Sequence, residues 1–134
     1  MIQEKDIRTF DDFAQWKSSD PDDRFALRVL KNLVTDLINS PNLGNVHRAL
    51  THPRSSGSDD WDRIICGAAL YVSHARIIIP PWWTQWAKEK QFPPRKGIFD
   101  PAHQPEWFAT NWGNTPIEFA ERAVCLSRDS LKGL

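Results

Sequence analysis

Four histidines carry the widest choice of chemistry in this sequence, because an imidazole can bind a metal ion or act as an acid or a base near neutral pH. His47 and His52 lie closest together, five residues apart, while His74 and His103 stand alone. Zinc sites usually take their ligands from short motifs such as His-Glu-x-x-His or Cys-x-x-Cys, and neither motif occurs. We therefore predict no metal site and no cofactor.

His74 is the histidine whose setting matters most, because it lies within a largely apolar stretch. A buried imidazole needs hydrogen-bond partners for its ring nitrogens. A carboxylate or a carbonyl oxygen can supply that partner in a purely structural role, which we favour. The alternative hypothesis is a small enzyme or metal-binding protein that uses His74 together with carboxylates.

The sequence also lacks the motifs that activate a nucleophile or hold a phosphate group. It contains no Gly-x-Ser-x-Gly, no Gly-x-Gly-x-x-Gly and no Gly-x-x-x-x-Gly-Lys-Ser/Thr pattern. Cys66 and Cys125 have no sequence neighbours that would clearly lower the pKa of a thiol. Both lie in apolar contexts that are typical of reduced, buried thiols in a cytoplasmic protein. We predict no catalytic residue.

Charge and length exclude further classes. The 134 residues hold 17 basic and 17 acidic side chains, so no strong field favours binding to nucleic acid. No apolar run approaches the ~20 residues of a membrane span, and the polar N-terminus does not resemble a signal peptide. We predict a single domain over residues 1–134 in the cytoplasm, with no membrane association.

Seven tryptophans are the unusual feature of the composition. Large aromatic side chains either fill a core or anchor an interface. Core packing explains Trp61, at the start of a predicted buried helix, and one of Trp82 and Trp86. Seven indoles do not fit easily inside so small a domain, so an exposed aromatic patch that binds a protein partner is the competing interpretation. Both interpretations stay open at this level.

The most apolar stretch, residues 58–86, predicts a central helix, a proline break and a second helix. Ser58 and the aspartates after it suit a first helical turn, and apolar residues then recur with helical spacing. Gly67 is expected to let another backbone come close. The helix should stop between Arg76 and Ile79, because the prolines that follow disfavour helical backbone.

Proline after a polar or capping residue marks four further helix starts, and alternating strand patterns are nearly absent. We therefore predict an all-α fold, a compact irregular bundle of about six or seven helices, several of them short and started by proline. In the last of these helices, Glu118 is expected to complete a capping box. The four start signals are Asp20-Pro21, Ser40-Pro41, Gln104-Pro105 and Thr115-Pro116.

The helix predicted from about Pro81 to Lys90 suggests where a partner would bind. Trp82 and Trp86 would point in one direction and Trp83 roughly 100° round the axis, so one direction can face the central helix and the other solvent. A proline-rich segment follows from Phe92 to Gln104, and such long irregular segments are often functional. The predicted surface for a protein partner, or for a second copy of the chain, consists of Trp82, Trp83, Trp86, Arg95, Lys96 and Phe99.

Two stretches resemble small helical bacterial proteins, some of which occur in gene pairs of the toxin–antitoxin type. One is TPIEFAERAVCLSRDSL, residues 115–131, and the other is GAALYVSHARIIIPPWW, residues 67–83. The resemblance implies a bacterial protein that binds a partner, as one half of a regulatory pair. It supplies no catalytic residues.

Overall fold

The computed structural model describes residues 3–86 and 97–131. Within these ranges the chain has no β-strand, and one isolated parallel bridge links Phe99 with Val124. None of the helices in these ranges combines the length and the apolar character that crossing a bilayer requires. The predicted all-α fold is confirmed. The α-helices are α1 (Phe10–Lys17), α2 (Asp23–Asn39), α3 (Leu43–Ala49), α4 (Asp59–Ala75), α5 (Phe108–Gly113) and α6 (Ile117–Ala120).

Short-range capping fixes the helix starts. Thr9 and Asp12 form a capping box at α1, and the Ser58 side chain accepts a hydrogen bond from the Trp61 N–H at α4. The predicted starts at Asp20-Pro21 and Ser40-Pro41 are slightly early, because each pair forms a turn ahead of the cap. The observed N-caps are Asp22 for α2 and Asn42 for α3, and each side chain accepts a hydrogen bond from a first-turn N–H.

Helix α4 lies at the centre of the bundle, in contact with α1, α2, α6 and the 3-10 helix Trp82–Gln85. Its first buried residue, Trp61, packs on Phe13 with ring centroids 5.9 Å apart. The indole N–H of Trp61 donates to Asp23 of α2 at 2.8 Å, which satisfies the one polar group of a buried aromatic side chain. Burial of apolar side chains such as that of Trp61 is the main source of the fold's stability.

The end of α4 directs the chain toward the tryptophans. Arg76 caps the helix, and its guanidinium donates to the carbonyl oxygens of Ile38 and Ser40, both at 2.8 Å. Ile77 then adopts a left-handed backbone with φ of 55°, a conformation that a β-branched residue rarely takes. The chain therefore leaves the helix axis sharply, and the expected stop between Arg76 and Ile79 is confirmed.

The prediction of an α-helix from about Pro81 to Lys90 is wrong in the type of helix. A single 3-10 turn, Trp82–Gln85, takes its place, and the extended backbone of Trp86 ends it (φ −60°, ψ 147°). The remainder of the predicted helix, residues 87–90, lies outside the described residues. A 3-10 helix has three residues per turn, so neighbouring side chains are spread more widely than in an α-helix.

Gly67 permits a close approach between α4 and α6. A Cβ atom added there would lie 2.8 Å from Cδ1 of Phe119 and 3.1 Å from the carbonyl oxygen of Glu118. Both neighbours belong to α6, so the expectation that Gly67 admits another backbone is confirmed. Phe119 is fully buried, and it cannot retreat without moving its helix.

We expect Gly67→Ala to lower the free energy of unfolding by about 1–2 kcal/mol, since overpacking against α6 outweighs the helix propensity gained. Gly113→Ala is the matched control, because a Cβ there meets nothing within 4 Å. That variant should be neutral or more stable, by up to about 0.5 kcal/mol. Equilibrium urea unfolding measures both. Equal behaviour of the two variants would contradict a close α4–α6 contact.

Candidate functional site

The three clustered tryptophans line one cavity of about 320 Å³. That volume is at the lower end of the range for small-molecule sites, and it is large enough for one long side chain of a partner. The cavity opens between α4, the 3-10 turn at residues 82–85 and the loop that precedes α4. The described residues that line it are His52, Pro53, Arg54, Ser55, Asp62, Ile65, Cys66, Trp82, Trp83 and Trp86.

The three indoles divide into one buried and two exposed rings. Trp83 is 4% exposed, whereas Trp82 is 76% and Trp86 37% exposed. The Trp83 indole N–H donates to the carbonyl oxygen of Leu50 at 3.0 Å, which fixes the ring against the end of α3. One direction of the segment thus faces the core and the other faces solvent. The expectation that one of Trp82 and Trp86 fills the core is wrong, because Trp83 is the buried ring of the segment.

His52 completes the aromatic wall. Its ring lies 5.0 Å from the Trp82 ring in an edge-on arrangement and 5.9 Å from the Trp83 ring in a stacked one. Nothing in the local sequence Thr-His-Pro-Arg-Ser-Ser-Gly predicts this role for His52. The contact depends on a segment 30 residues away in the chain.

Two charged side chains border the cavity, and they differ in how they are partnered. Arg54 forms a two-pronged pair with Asp11, with nitrogen–oxygen distances of 3.0 and 3.2 Å, and these hydrogen bonds lower the pKa of Asp11. Asp62 accepts hydrogen bonds from the Ser55 hydroxyl at 2.6 Å and from the Ser56 hydroxyl at 2.7 Å. Within the described residues Asp62 has no basic partner. No ion pair in that part of the chain therefore offsets the carboxylate's charge at the cavity.

Cys66 of α4 lies at the cavity floor as a protonated thiol. Burial raises its pKa to about 12, against an opposing effect of the Arg122 charge. The S–H group donates weakly to the carbonyl oxygen of Trp83, with a sulfur–oxygen distance of 3.6 Å. A thiol in this state is a poor nucleophile at neutral pH, so Cys66 acts as part of an apolar floor.

Arg122 holds the tryptophan segment from behind. Its side chain is fully buried and donates to the carbonyl oxygens of Glu118 at 2.7 Å, of Trp86 at 3.2 Å and of Thr84. A further bond joins it to the Glu121 carboxylate at 3.2 Å. Burial lowers the pKa of the guanidinium, and neighbouring negative charge opposes that effect. Sequence reasoning did not identify this positioning role.

Phe99, the other described residue of the predicted surface, does not line this cavity. Phe99 is half-buried, packs edge-on against Trp61 with centroids 6.3 Å apart, and is absent from the lining. Its backbone pairs with Ala123 and Cys125 at 2.9 and 2.8 Å. Arg95 and Lys96 lie outside the described residues. Of the described residues of the predicted surface, Trp82, Trp83 and Trp86 therefore lie together, in a cavity that His52, Arg54 and Asp62 also line, and Phe99 lies apart from that lining.

His74 forms a pair with a carboxylate at a different place. Its Nδ1 lies 2.7 Å from Oε2 of Glu118. The capping box predicted for Glu118 is therefore wrong, because its carboxylate binds His74 and α6 has no side-chain cap. The imidazole is half exposed, and neither it nor Glu118 lines the cavity. In residues 3–86 and 97–131, no three His, Cys, Asp or Glu side chains come close enough together to hold a metal ion.

Polar contacts also hold the described part of the irregular segment before α5, residues 97–104, against α2. Nε2 of His103 lies 2.8 Å from Asp23, and Arg24 donates to the carbonyl oxygens of Ala102 and His103 at 2.9 and 3.2 Å. Asp23 also accepts the Trp61 indole N–H. These contacts secure the segment on the bundle, so the described part of it has a structural role.

Comparisons with known proteins bear on function only when a match covers a substantial part of the chain. No family model, no curated protein and no solved structure matches this one. The resemblance of residues 67–83 and 115–131 to helical bacterial proteins stays a hypothesis. Function must therefore be inferred from the site itself.

Proposed function

We propose that this protein is a non-enzymatic interaction module that binds a protein partner through the cavity lined by Trp82, Trp83 and Trp86. The observation that carries the proposal is the exposure of Trp82, 76%, at the edge of a preformed aromatic cavity. Large exposed aromatic side chains are rare on isolated domains and frequent at the centres of interfaces. Following the resemblance in sequence, the module is one half of a bacterial regulatory pair of the toxin–antitoxin type.

The rigidity of the cavity supports this function. Trp83 is fixed by its bond to Leu50, and the backbone of Thr84 and Trp86 is fixed by Arg122. Binding to a surface that is already ordered loses less conformational entropy than binding to a flexible one. A short turn with buried supports on one side and indoles on the other therefore suits an anchor site.

The proposed partner is a different protein, and the alternative is a second copy of this chain. Both cysteines are unpaired and buried, which fits a protein of the reducing cytoplasm. The balanced charge of the chain disfavours nucleic acid as the partner.

The pair of His74 and Glu118 favours a second candidate, a small enzyme or metal-binding protein. A carboxylate bound to Nδ1 fixes the orientation of an imidazole, as in many catalytic and metal-binding histidines. The His74 ring is half exposed and Glu118 is buried, and neither residue lines the tryptophan cavity, so the pair supports its candidate less directly than the tryptophans support the interaction module. Metal binding or catalytic turnover that His74→Ala abolishes and Trp82→Ala leaves unchanged would favour this candidate.

We expect Trp82→Ala to weaken association with the partner by at least ~2 kcal/mol, as for an interface anchor, while the free energy of unfolding changes by less than about 1 kcal/mol. Affinity capture from the native host identifies the partner, and titration calorimetry with the purified partner measures the affinity. Sedimentation equilibrium measures self-association, which is the relevant quantity if the partner is a second copy.

Trp107→Ala is the matched control for this experiment. Trp107 is 56% exposed and does not line the cavity, so its removal takes away a comparable indole elsewhere. The control should bind as the wild type does. The proposed function fails if both variants bind equally well, or if Trp107→Ala is the weaker binder.

A further inference from the structure

We infer that the side chain that enters the tryptophan cavity is basic, an arginine or a lysine of the partner protein. The inference rests on the proposed function, because it names the group that the same cavity receives. It is carried by two properties of the lining, which are its indole rings and its unpaired carboxylate.

The indole rings suit a cation. The faces of aromatic rings attract positive charge, tryptophan most strongly, and the attraction grows when the cation is removed from water. Three of the ten described lining residues are tryptophans, and Ile65 and Cys66 add an apolar floor. Arginine and lysine combine an apolar stem with a charged head, so each can cover such a floor while its head meets polar groups.

The charges of the lining also select a cation. The charge of Arg54 is already offset by the two-pronged pair with Asp11. The Asp62 carboxylate, in contrast, accepts hydrogen bonds only from uncharged groups among the described residues, namely the Ser55 hydroxyl and the Ser56 hydroxyl and backbone N–H. Burial raises the pKa of the Cys66 thiol, the charge of Arg122 opposes that effect, and the charge of Asp62 adds to it by a smaller amount, so the field of this carboxylate reaches the floor. Among the described residues, the cavity thus presents an unpaired negative charge.

The positive charge behind the cavity does not cancel this preference. Arg122 acts on Cys66 in the opposite sense, but its side chain is fully buried and its N–H groups are directed to carbonyl oxygens and to Glu121. It cannot contact an occupant of the cavity. Asp62 remains the charged group that an incoming side chain would meet.

Other kinds of occupant fit less well. An acidic side chain would face Asp62 with the same sign of charge. An apolar side chain would remove Asp62 from water without supplying an opposite charge, and the desolvation of an unpaired carboxylate opposes binding. A basic side chain offsets that desolvation with a charge-assisted hydrogen bond.

A display selection tests the inference with peptides in place of the partner protein. Random 12-residue peptides are selected on the full-length wild-type chain and depleted on the Trp82→Ala variant. We expect the recovered peptides to share one arginine or lysine position. Replacing that arginine by the neutral isostere citrulline, or that lysine by norleucine, should weaken binding about tenfold or more, because both the ion pair and the cation–π contact are lost.

The protein-side variant Asp62→Asn completes a double-mutant cycle. Asp62→Asn should weaken binding of the parent peptide, but it should have a much smaller effect on binding of the citrulline or norleucine peptide. Because the peptide substitution leaves the protein unchanged, an effect of Asp62→Asn on the nearby loop cannot imitate that result. Trp82-dependent peptides that share an apolar or acidic anchor, or that tolerate the neutral replacement, would overturn the inference and leave the proposed function standing. Recovery of no Trp82-dependent peptide would overturn both.

Discussion

Replacing Arg122 by methionine is expected to lower the free energy of unfolding by about 3–5 kcal/mol, because it removes one donor group that serves several buried acceptors. The arginine donates to the carbonyl oxygens of Glu118, Thr84 and Trp86, and its side chain is fully buried. Methionine fills a similar volume but donates nothing. The carbonyl oxygens would then stay desolvated without partners, and each such group costs about 1–3 kcal/mol.

The same substitution should also impair partner binding. Without Arg122, the backbone of Thr84 and Trp86 loses its hydrogen bonds to the guanidinium, so the rim of the cavity loses that support. Arg122→Lys should retain part of the stability, since an ammonium can reach some of these oxygens but lacks the planar fork of the guanidinium. Urea unfolding followed by circular dichroism measures the stability of each variant.

Arg128→Met is the matched control. Arg128 is exposed, and its one described bond is a backbone N–H to Asn114, which methionine preserves. Its substitution should change the free energy of unfolding by less than about 0.5 kcal/mol. If Arg122→Met were as mild as this control, the guanidinium would not be holding the tryptophan segment.

The parts of the fold that the sequence predicted are those set by neighbouring residues. The Thr9 and Ser58 caps act on N–H groups within three residues of themselves, and the end of α4 is dictated by the prolines after Ile79. Gly67 was identified for the same reason, since small residues within a buried helix indicate a close neighbour. Its partner, α6, is not specified by any local pattern.

The parts of the site that the sequence did not predict depend on distant contacts. Arg122 lies 38 residues from Thr84, and His52 lies 30 residues from Trp82, so no periodicity links either pair. Glu118 was assigned to a capping box on local spacing, and a tertiary contact with His74 took precedence. The tryptophans were identified by their type and number alone, and their burial was decided by the bundle.

Trp83 provides the sharpest contrast with its exposed neighbour, because the two residues are adjacent in sequence and opposite in burial. Trp83→Ala should lower the free energy of unfolding by about 3–5 kcal/mol, as expected for removing a buried indole from a packed core. The substitution also takes the donor away from the Leu50 carbonyl oxygen. Trp82→Ala, by comparison, should leave stability nearly unchanged and act on binding.

Trp83→Phe separates packing from hydrogen bonding at this position. Phenylalanine keeps most of the aromatic contact with the core but cannot donate to Leu50. Trp83→Phe should therefore lower the free energy of unfolding by about 1–2 kcal/mol, less than Trp83→Ala does. The order alanine, phenylalanine, wild type in rising stability would show that the ring and its N–H both support the cavity. If Trp83→Ala proved no less stable than Trp82→Ala, the division into a buried ring and an exposed ring would be wrong, and with it the assignment of Trp82 as the anchor that faces the partner.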